Sequence, residues 1–266
     1  ENPNRTAILT DSSFSLIRKS QLKDLSTKGV KVYTHDPVDF QNPEKSLSRS
    51  LNHNKSLRIA PDFAKAKRVL SLDSDFLGHR EPNSSVNTKQ FMPGRKVLSP
   101  KDTKSMNRLY SVESDLTITG GVADHRLRLS SVETEAFAAL VLRLLLESKG
   151  SKSKKLLEHL SVLSKPVDSH EKWAKECVAD LLAKPKQSLV VAGSHLPGSV
   201  HLLTYKINQV LGNESTCLKY IEIDNVGGDL SSLCESLEKG DFKGFDALLR
   251  SLYGTNDIFD IEALDI

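Results

Sequence analysis

The sequence has few aromatic residues, little net charge and no long apolar run. Aromatic side chains make up 6% of the 266 residues, which argues against a stacking platform for single-stranded nucleic acid. The formal net charge of +3 is small and evenly spread, so the composition predicts no nucleic-acid partner. The longest apolar run, residues 136–146, is interrupted by Arg143 and is shorter than the roughly 20 residues of a membrane span. We therefore predict no direct membrane span.

Cysteine is also scarce, and its spacing excludes the common metal sites. Cys177, Cys217 and Cys234 form no C-x-x-C pair, so the sequence predicts neither a zinc site nor a cysteine-held iron–sulfur cluster. All three are expected to be buried free thiols. The first ten residues lack the basic and apolar regions of a signal peptide. Because predicted strands lie close to both ends, we expect the chain to be a segment of a longer protein.

Predicted strands and helices alternate along the chain, which is typical of an α/β protein. Residues 6–34 predict a β-α-β unit with parallel strands. Residues 132–147 are apolar nearly all round and predict a buried helix, and Ser130 with Glu133 fits a capping box at its start. The polar stretches 36–56 and 81–95 are expected to be loops, the first with at most one helical turn. We predict two Rossmann-like lobes with mostly parallel sheets flanked by helices, at residues 1–147 and 169–266, joined by a linker at 148–168.

The candidate site residues follow predicted strands. Residues 107–129 predict a strand and a polar loop with two glycines, and ligands of open α/β sheets bind where strands end. Asp73 and Asp75 end another predicted strand and would share a face if extended. They could hold a metal or a ribose hydroxyl, or cap the following turn. Asp124 and His125 would point to opposite faces, which favours structural roles for both.

The loop at residues 193–198 (GSHLPG) lies between a predicted strand and a predicted helix. Backbone N–H groups at a helix N-terminus suit a phosphate, and a purely structural loop is the alternative. The loop lacks the Gly-Lys-Ser/Thr ending of a P-loop, and it does not fit a nucleophile elbow. The sequence assigns no catalytic residue and no metal ligand.

The order and spacing of these motifs resemble the molybdopterin oxidoreductases of the dimethyl sulfoxide reductase and formate dehydrogenase type. The resemblance rests on residues 69–78 (VLSLDSDFLG), 207–213 (INQVLGN) and 253–257 (YGTND), and on Val112, Glu113, Thr117, Thr119, Ala123, Asp124 and Leu127. The segments SLDSDFLG, MNRLYSVES and ADHRL are most similar to the molybdopterin-like iron–sulfur subunit of alternative complex III, a quinol-oxidising complex.

The resemblance implies a molybdopterin guanine dinucleotide site in active members of the family. The matching positions here are Asp73, Asp75, Glu113, Ser114, Thr119, Asp124, Gly193, Ser194, His195 and Asn256. Two departures stand against this cofactor. The family's R-P-G-T-D is replaced by SSVET at residues 130–134, and the family's cluster cysteines and metal-ligating residue have no match.

The resemblance therefore leads to one expectation and two alternatives. In the most similar branch this region lacks the cofactor and serves as a scaffold, so we expect a non-catalytic scaffold segment. Its partners would be the other subunits of a membrane-associated redox complex, on the periplasmic face. The first alternative is a fragment of an active molybdopterin guanine dinucleotide-dependent oxidoreductase. The second is an unrelated nucleotide- or sugar-binding α/β protein.

Overall fold

The computed structural model describes residues 3–12, 15–36, 42–50, 56–79, 81–223 and 227–239. The chain forms two compact units, one of Glu1–Asp39 with Asp224–Ile266 and one of Phe40–Ile223. This division differs from the predicted lobes at 1–147 and 169–266. The predicted strand at 245–252, the turn at 253–257 and Asn256 lie outside the described residues.

The secondary structure is mixed α/β. In chain order the described strands are β1 (Ala7–Thr10), β2 (Lys31–Thr34), β3 (Ser56–Pro61), β4 (Arg68–Leu72), β5 (Arg108–Glu113), β6 (His125–Arg128), β7 (Ser188–Ala192) and β8 (Leu218–Ile223). The described helices are α1 (Leu16–Thr27), α2 (Asn42–Ser50), α3 (Ser84–Phe91), α4 (Ile118–Gly121), α5 (Thr134–Ser148), α6 (Lys154–Ser164), α7 (Glu171–Ala183), α8 (Gly198–Leu211) and α9 (Leu230–Glu238).

The first unit contains the predicted β-α-β arrangement. β1 and β2 pair in parallel with Ala7 opposite Lys31, which confirms the prediction for residues 6–34. Ala7 and Tyr33 are buried with Leu233 of α9 in a small apolar cluster. The Tyr33 hydroxyl also donates a hydrogen bond of 3.0 Å to Ser236 Oγ, so α9 is fixed to β2 by both apolar and polar contacts.

The second unit is built on a four-stranded parallel sheet with the order β6-β5-β4-β7. Because successive strand residues face opposite sides, Leu70 and Leu72 pack toward one layer and Val69 toward the other. On the first side lie α5, α6, α7 and α8, and on the second lie Phe63, Phe76 and Phe91. This mixed α/β architecture, with parallel sheets flanked by helices, confirms the predicted fold class.

Helix α5 lies at the centre of the helical layer. Ten of its fifteen residues are buried, and α6, α7 and α8 all pack against it. Ser130 and Glu133 form the predicted capping box, which satisfies backbone groups at the start of this helical segment. The prediction of a buried helix here is confirmed.

The predicted linker at 148–168 contains a packed helix. α6 contributes the buried residues Leu160 and Ser164 to its contact with α5. A boundary at residue 148 would also separate β7 from β4, two strands that pair with Arg68 opposite Ser188. The sheet therefore joins segments that the sequence assigned to different lobes.

Two polar segments predicted as loops contain helices within their described residues. Residues 36–56 include α2, which buries Leu47 against Leu57 and Tyr205. β3 follows this stretch and pairs antiparallel with β8. In the predicted loop 81–95, α3 buries Phe91 in the second core cluster. These elements are stabilised by contacts with distant parts of the chain.

Cys177 and Cys217 are buried free thiols as predicted, whereas Cys234 is exposed. It directly follows the buried residue Leu233 on α9. In the part of the chain that the structure describes, no helix combines the length and the apolar character needed to cross a bilayer.

Candidate functional site

The candidate site lies at the carboxyl edge of the four-stranded sheet. Because β4, β5, β6 and β7 are parallel, the segments that follow them meet at this edge. This is the position at which open α/β sheets bind ligands. The edge brings together residues 73–79, 114–117, 129–131 and 193–197.

Asp73 connects three of these segments. Its carboxylate accepts a hydrogen bond of 3.2 Å from the Ser114 backbone N–H and another from the Ser131 hydroxyl, and it lies 3.4 Å from His195 Nε2. Burial raises the pKa of Asp73, but the hydrogen bonds from His195, Ser131 and Ser114 outweigh it, so the pKa lies below its ordinary value. The residue is therefore an anion held by three loops.

The backbone of Asp73 is left-handed, with φ of 49°, a conformation that aspartate tolerates better than most residues. Since the strand ends at Leu72 and the backbone turns here, Asp73 and Asp75 do not share an extended face. The condition for a shared face, an extended segment, is therefore not met. Asp73 contacts Ser114, whereas Asp75 contacts Thr119.

Asp75 is a buried carboxylate with two donors from one residue. It is 4% exposed and accepts hydrogen bonds from Thr119 N–H at 3.0 Å and Thr119 Oγ1 at 2.9 Å. Thr119 Oγ1 in turn accepts from the Leu77 backbone N–H at 3.1 Å. A Cβ on Gly78 would lie 1.8 Å from Asp75 Oδ2, so only glycine fits beside this carboxylate.

Glu113, the last residue of β5, is 2% exposed. Its carboxylate forms an ion pair with Arg126 and accepts a hydrogen bond of 2.7 Å from Thr117 Oγ1. A Cβ on Gly120 would lie 1.7 Å from Glu113 Oε1. The paired glycines of the sequence thus have different surroundings, because a Cβ on Gly121 would meet nothing within 4 Å.

The β7–α8 segment brings Gly193, Ser194 and His195 to the same edge. A Cβ on Gly193 would lie 2.3 Å from the Asp73 carbonyl oxygen, which explains the glycine. The Ser194 N–H donates a hydrogen bond of 2.9 Å to Glu81 Oε1. Burial, with a smaller contribution from Asp75, raises the pKa of Glu81 above its ordinary value.

Glu81 was missed by the sequence reasoning because it belongs to a stretch predicted as a surface loop. Its acidic side chain alone does not distinguish it from an exposed glutamate. His201 was also missed. It is 4% exposed, its Nε2 has no hydrogen-bond partner, and burial lowers its pKa to about 4.

Asp124 lies at the opposite edge of the sheet. Its carboxylate accepts a hydrogen bond of 2.8 Å from the Leu109 N–H and binds Arg95 at 2.6 and 3.1 Å. Burial raises the pKa of Asp124, but Arg95 and the Leu109 N–H reverse the shift. Leu109 is the second residue of β5 and Glu113 the last, about 13 Å apart along an extended strand. The structure therefore does not bring Asp124 together with the other candidates.

Four carboxylates, those of Asp73, Asp75, Glu81 and Glu113, surround the carboxyl edge. The arrangement is rich in acceptors, and Arg126, a nearby cation, is paired with Glu113. The arrangement does not place a base beside a nucleophile. The Ser131 hydroxyl and His195 Nε2 both approach the same oxygen of Asp73 rather than each other. Among the described residues, no three His, Cys, Asp or Glu side chains are grouped so that they could hold a metal ion.

Comparison with solved structures finds a similar fold. No protein-family model matches the sequence, and no curated protein does. The structure is similar to acetylene hydratase from Pelobacter acetylenicus, with a TM-score of 0.53 and 10% sequence identity over 79% of this chain. The match covers 30% of the length of that protein. At this identity the similarity establishes the α/β fold alone.

Proposed function

We propose that this chain is a segment of a molybdopterin oxidoreductase-like protein and serves as a cofactor-less scaffold. The complex would be a quinol-oxidising, membrane-associated electron-transfer assembly in which other subunits carry out the redox chemistry. Two observations support the family. The sequence motifs occur in the family's order, and the fold is similar to that of acetylene hydratase, a member of the molybdopterin dimethyl sulfoxide reductase family.

The observation that carries the scaffold proposal is the chemistry of the carboxyl edge. A dinucleotide bound there would place its negatively charged diphosphate close to Asp73, Asp75, Glu81 and Glu113. Two like charges about 4 Å apart repel by about 4 kcal/mol at the effective dielectric constant near a protein surface. Phosphate sites instead offer N–H groups and cations.

Several donors at this edge are already used within the protein. Thr119 donates both its N–H and its hydroxyl to Asp75, and Arg126 is paired with Glu113. Ser114 and Ser131 donate to Asp73. The residues present therefore do not fit a molybdopterin guanine dinucleotide, and we assign no step to such a group.

The active-enzyme alternative has one feature in its favour. Helix α8 begins directly after the loop that carries Ser194 and His195, and Pro197 precedes it without a side-chain cap. Uncapped N–H groups at a helix start are suited to a phosphate. A dinucleotide could use this end of the helix if the neighbouring carboxylates were protonated or displaced.

Cofactor content tests the proposal directly. The full-length parent protein is purified from cells supplied with molybdenum, and molybdenum per chain is measured by mass spectrometry. Pterin is measured in the same sample by the fluorescence of its oxidised form. We expect both to be far below one per chain. Nearly one molybdenum and one pterin per chain would establish the active-enzyme alternative, provided that this part of the parent holds them.

A binding experiment tests whether the carboxylates of the carboxyl edge exclude a diphosphate. Guanosine diphosphate is titrated calorimetrically at low ionic strength into the chain carrying Lys67→Ala/Lys186→Ala, which removes two lysines from the amino edge of the sheet, and we expect no saturable binding at the carboxyl edge. The variant Asp73→Asn/Glu113→Gln removes two negative charges from the edge and should gain binding. Glu158→Gln/Glu176→Gln removes two charges from exposed positions on α6 and α7 and should not. Tight binding before any carboxylate is replaced, with the amino-edge lysines removed, would contradict the charge argument and favour a nucleotide-binding function.

A further inference from the structure

A recess lies at the opposite, amino edge of the sheet. Its cavity has a volume of about 370 Å³, which falls within the range of small-molecule sites. It is bordered by the segment before β4, the segment before β7 and the turn before β8. The lining residues are Ala64, Lys65, Lys67, Lys186, Gln187, Ser215, Thr216 and Cys217.

The lining carries three lysines and no acidic residue. Lys65 lies 3.2 Å from Asp62 at its rim, an ion pair between partly exposed side chains. The Lys67 ammonium donates a hydrogen bond of 3.3 Å to the Ser105 carbonyl. In the described part of the chain, the structure records no ion pair for Lys186. Even with Lys65 offset by Asp62, the recess keeps an excess of positive charge.

The floor of the recess is held by its own hydrogen bonds. Thr216 Oγ1 lies 2.6 Å from the Lys186 carbonyl oxygen, and the Cys217 thiol donates to the same carbonyl at 3.4 Å. Ser215 has a left-handed backbone with φ of 66°. The main-chain contact from Lys67 N–H to the Gln187 carbonyl, at 2.7 Å, joins the two lysine-bearing segments. Lys67 and Lys186 are thus fixed on neighbouring backbones.

We propose that this recess binds a small phosphate-bearing molecule. Lysine ammonium groups act as point charges that can approach a tetrahedral phosphate from several directions. The lining has no arginine, the residue that suits planar, bidentate binding of carboxylates. The Gln187 amide adds uncharged donors. The site is independent of the scaffold proposal, because it lies at the other edge of the sheet.

The test uses inorganic pyrophosphate as the probe and calorimetry at low ionic strength. The chain should bind it saturably, and Lys67→Ala/Lys186→Ala should weaken binding about tenfold or more, since hydrogen bonds between charged groups are among the strongest. Lys152→Ala/Lys154→Ala is the matched control. It removes the same charge from the exposed basic stretch 152–155 and should leave the affinity unchanged.

Three further measurements test whether the recess is selective for phosphate. Lys186→Glu changes one exposed residue without a recorded ion pair, so it should abolish binding while the thermal unfolding temperature stays the same. Citrate should bind more weakly than pyrophosphate. The proposal is overturned if pyrophosphate fails to bind, if the control pair loses affinity equally, or if citrate binds as well as pyrophosphate. Because exposed charges are screened by salt, the affinity should also fall as ionic strength rises.

Discussion

The buried carboxylate of Asp75 accepts hydrogen bonds from both the backbone N–H and the hydroxyl of Thr119, at 3.0 and 2.9 Å. The two residues are 44 positions apart and belong to the segments that follow β4 and β5. Thr119 is fully buried. The pair therefore fixes the two central segments of the carboxyl edge to each other and holds a negative charge inside the protein.

Replacing Thr119 with valine should lower the free energy of unfolding by about 1–3 kcal/mol, because Asp75 loses a donor and the Leu77 N–H loses its acceptor. Denaturant unfolding followed by circular dichroism measures the change. The same substitution at the exposed residue Thr103 should change stability by less than about 0.5 kcal/mol. Equal effects at both positions would mean that the hydrogen bonds to Asp75 contribute little.

The two adjacent glycines of α4 should respond differently to alanine. Gly120→Ala should destabilise the protein by about 1–3 kcal/mol, since its Cβ would overlap the Glu113 carboxylate. Gly121→Ala should leave stability unchanged or raise it by up to about 1 kcal/mol, because its Cβ has open space and alanine favours a helix. Thermal unfolding of both variants provides the comparison, and a neutral Gly120→Ala would refute the close contact.

His201 should make the protein less stable in mild acid. Its pKa is about 4 in the folded state and near 6.5 when unfolded, so between these values the unfolded chain binds a proton that the folded chain does not. Stability should therefore fall by about 3 kcal/mol between pH 6.5 and 4 from this residue.

The variant His201→Asn isolates this contribution, because asparagine does not titrate. Its free energy of unfolding should depend less on pH across this window than that of the unmodified chain. Carboxylates that titrate over the same range are common to both proteins and cancel in the comparison. His159→Asn, at an exposed position, is the control. An unchanged pH dependence in His201→Asn would show that His201 takes up its proton equally in both states.

Glu81 should oppose stability at neutral pH. Burial raises the pKa of Glu81 in the folded state. Above this folded pKa, the ionised side chain lowers the free energy of unfolding. Below the pKa of the unfolded chain, the side chain is protonated in both states and this destabilisation is absent. Glu81→Gln should be more stable at pH 7 by about 0.5–2 kcal/mol, a size typical of stabilising changes. The gain should shrink as the pH is lowered, whereas Glu176→Gln, at an exposed position, should show no such trend. Urea unfolding at several pH values measures both.

The elements with strong local patterns could be predicted from sequence. The apolar residues of α5 and its capping box Ser130–Glu133 define that helix without reference to the rest of the chain. β1, β4, β5 and β7 are short apolar runs bounded by polar turns. Their parallel pairing follows from the helices that separate them.

The elements that depend on distant contacts could not be predicted. α2 has Leu47 as its main buried apolar residue, and this side chain packs near Tyr205, far along the chain. β3 gains its partner from β8 near the end of the second unit. The division into compact units differs from the predicted lobes for the same reason, because no local feature shows that β7 pairs with β4.

The candidate site was partly predictable, because parallel strand ends converge. This reasoning places Asp73, Ser114 and His195 together at the carboxyl edge, where the structure also has them. It does not show that Asp124 caps the start of β5 through the Leu109 N–H. Nor does it reveal Glu81, whose burial arises from the packing of the segment after β4. Whether any of these residues binds a ligand remains a prediction.

The pairing of β4 with β7 has a consequence for synthesis of the protein. Arg68 lies opposite Ser188, so the ribosome must add about 120 residues after β4 begins before its second neighbour exists. At typical translation rates this delay is on the order of ten seconds. During that interval β4 presents an apolar, unpaired edge, which is a template for pairing with other nascent chains. The order of strands in the finished sheet therefore makes chaperone protection most valuable between the emergence of β5 and that of β7.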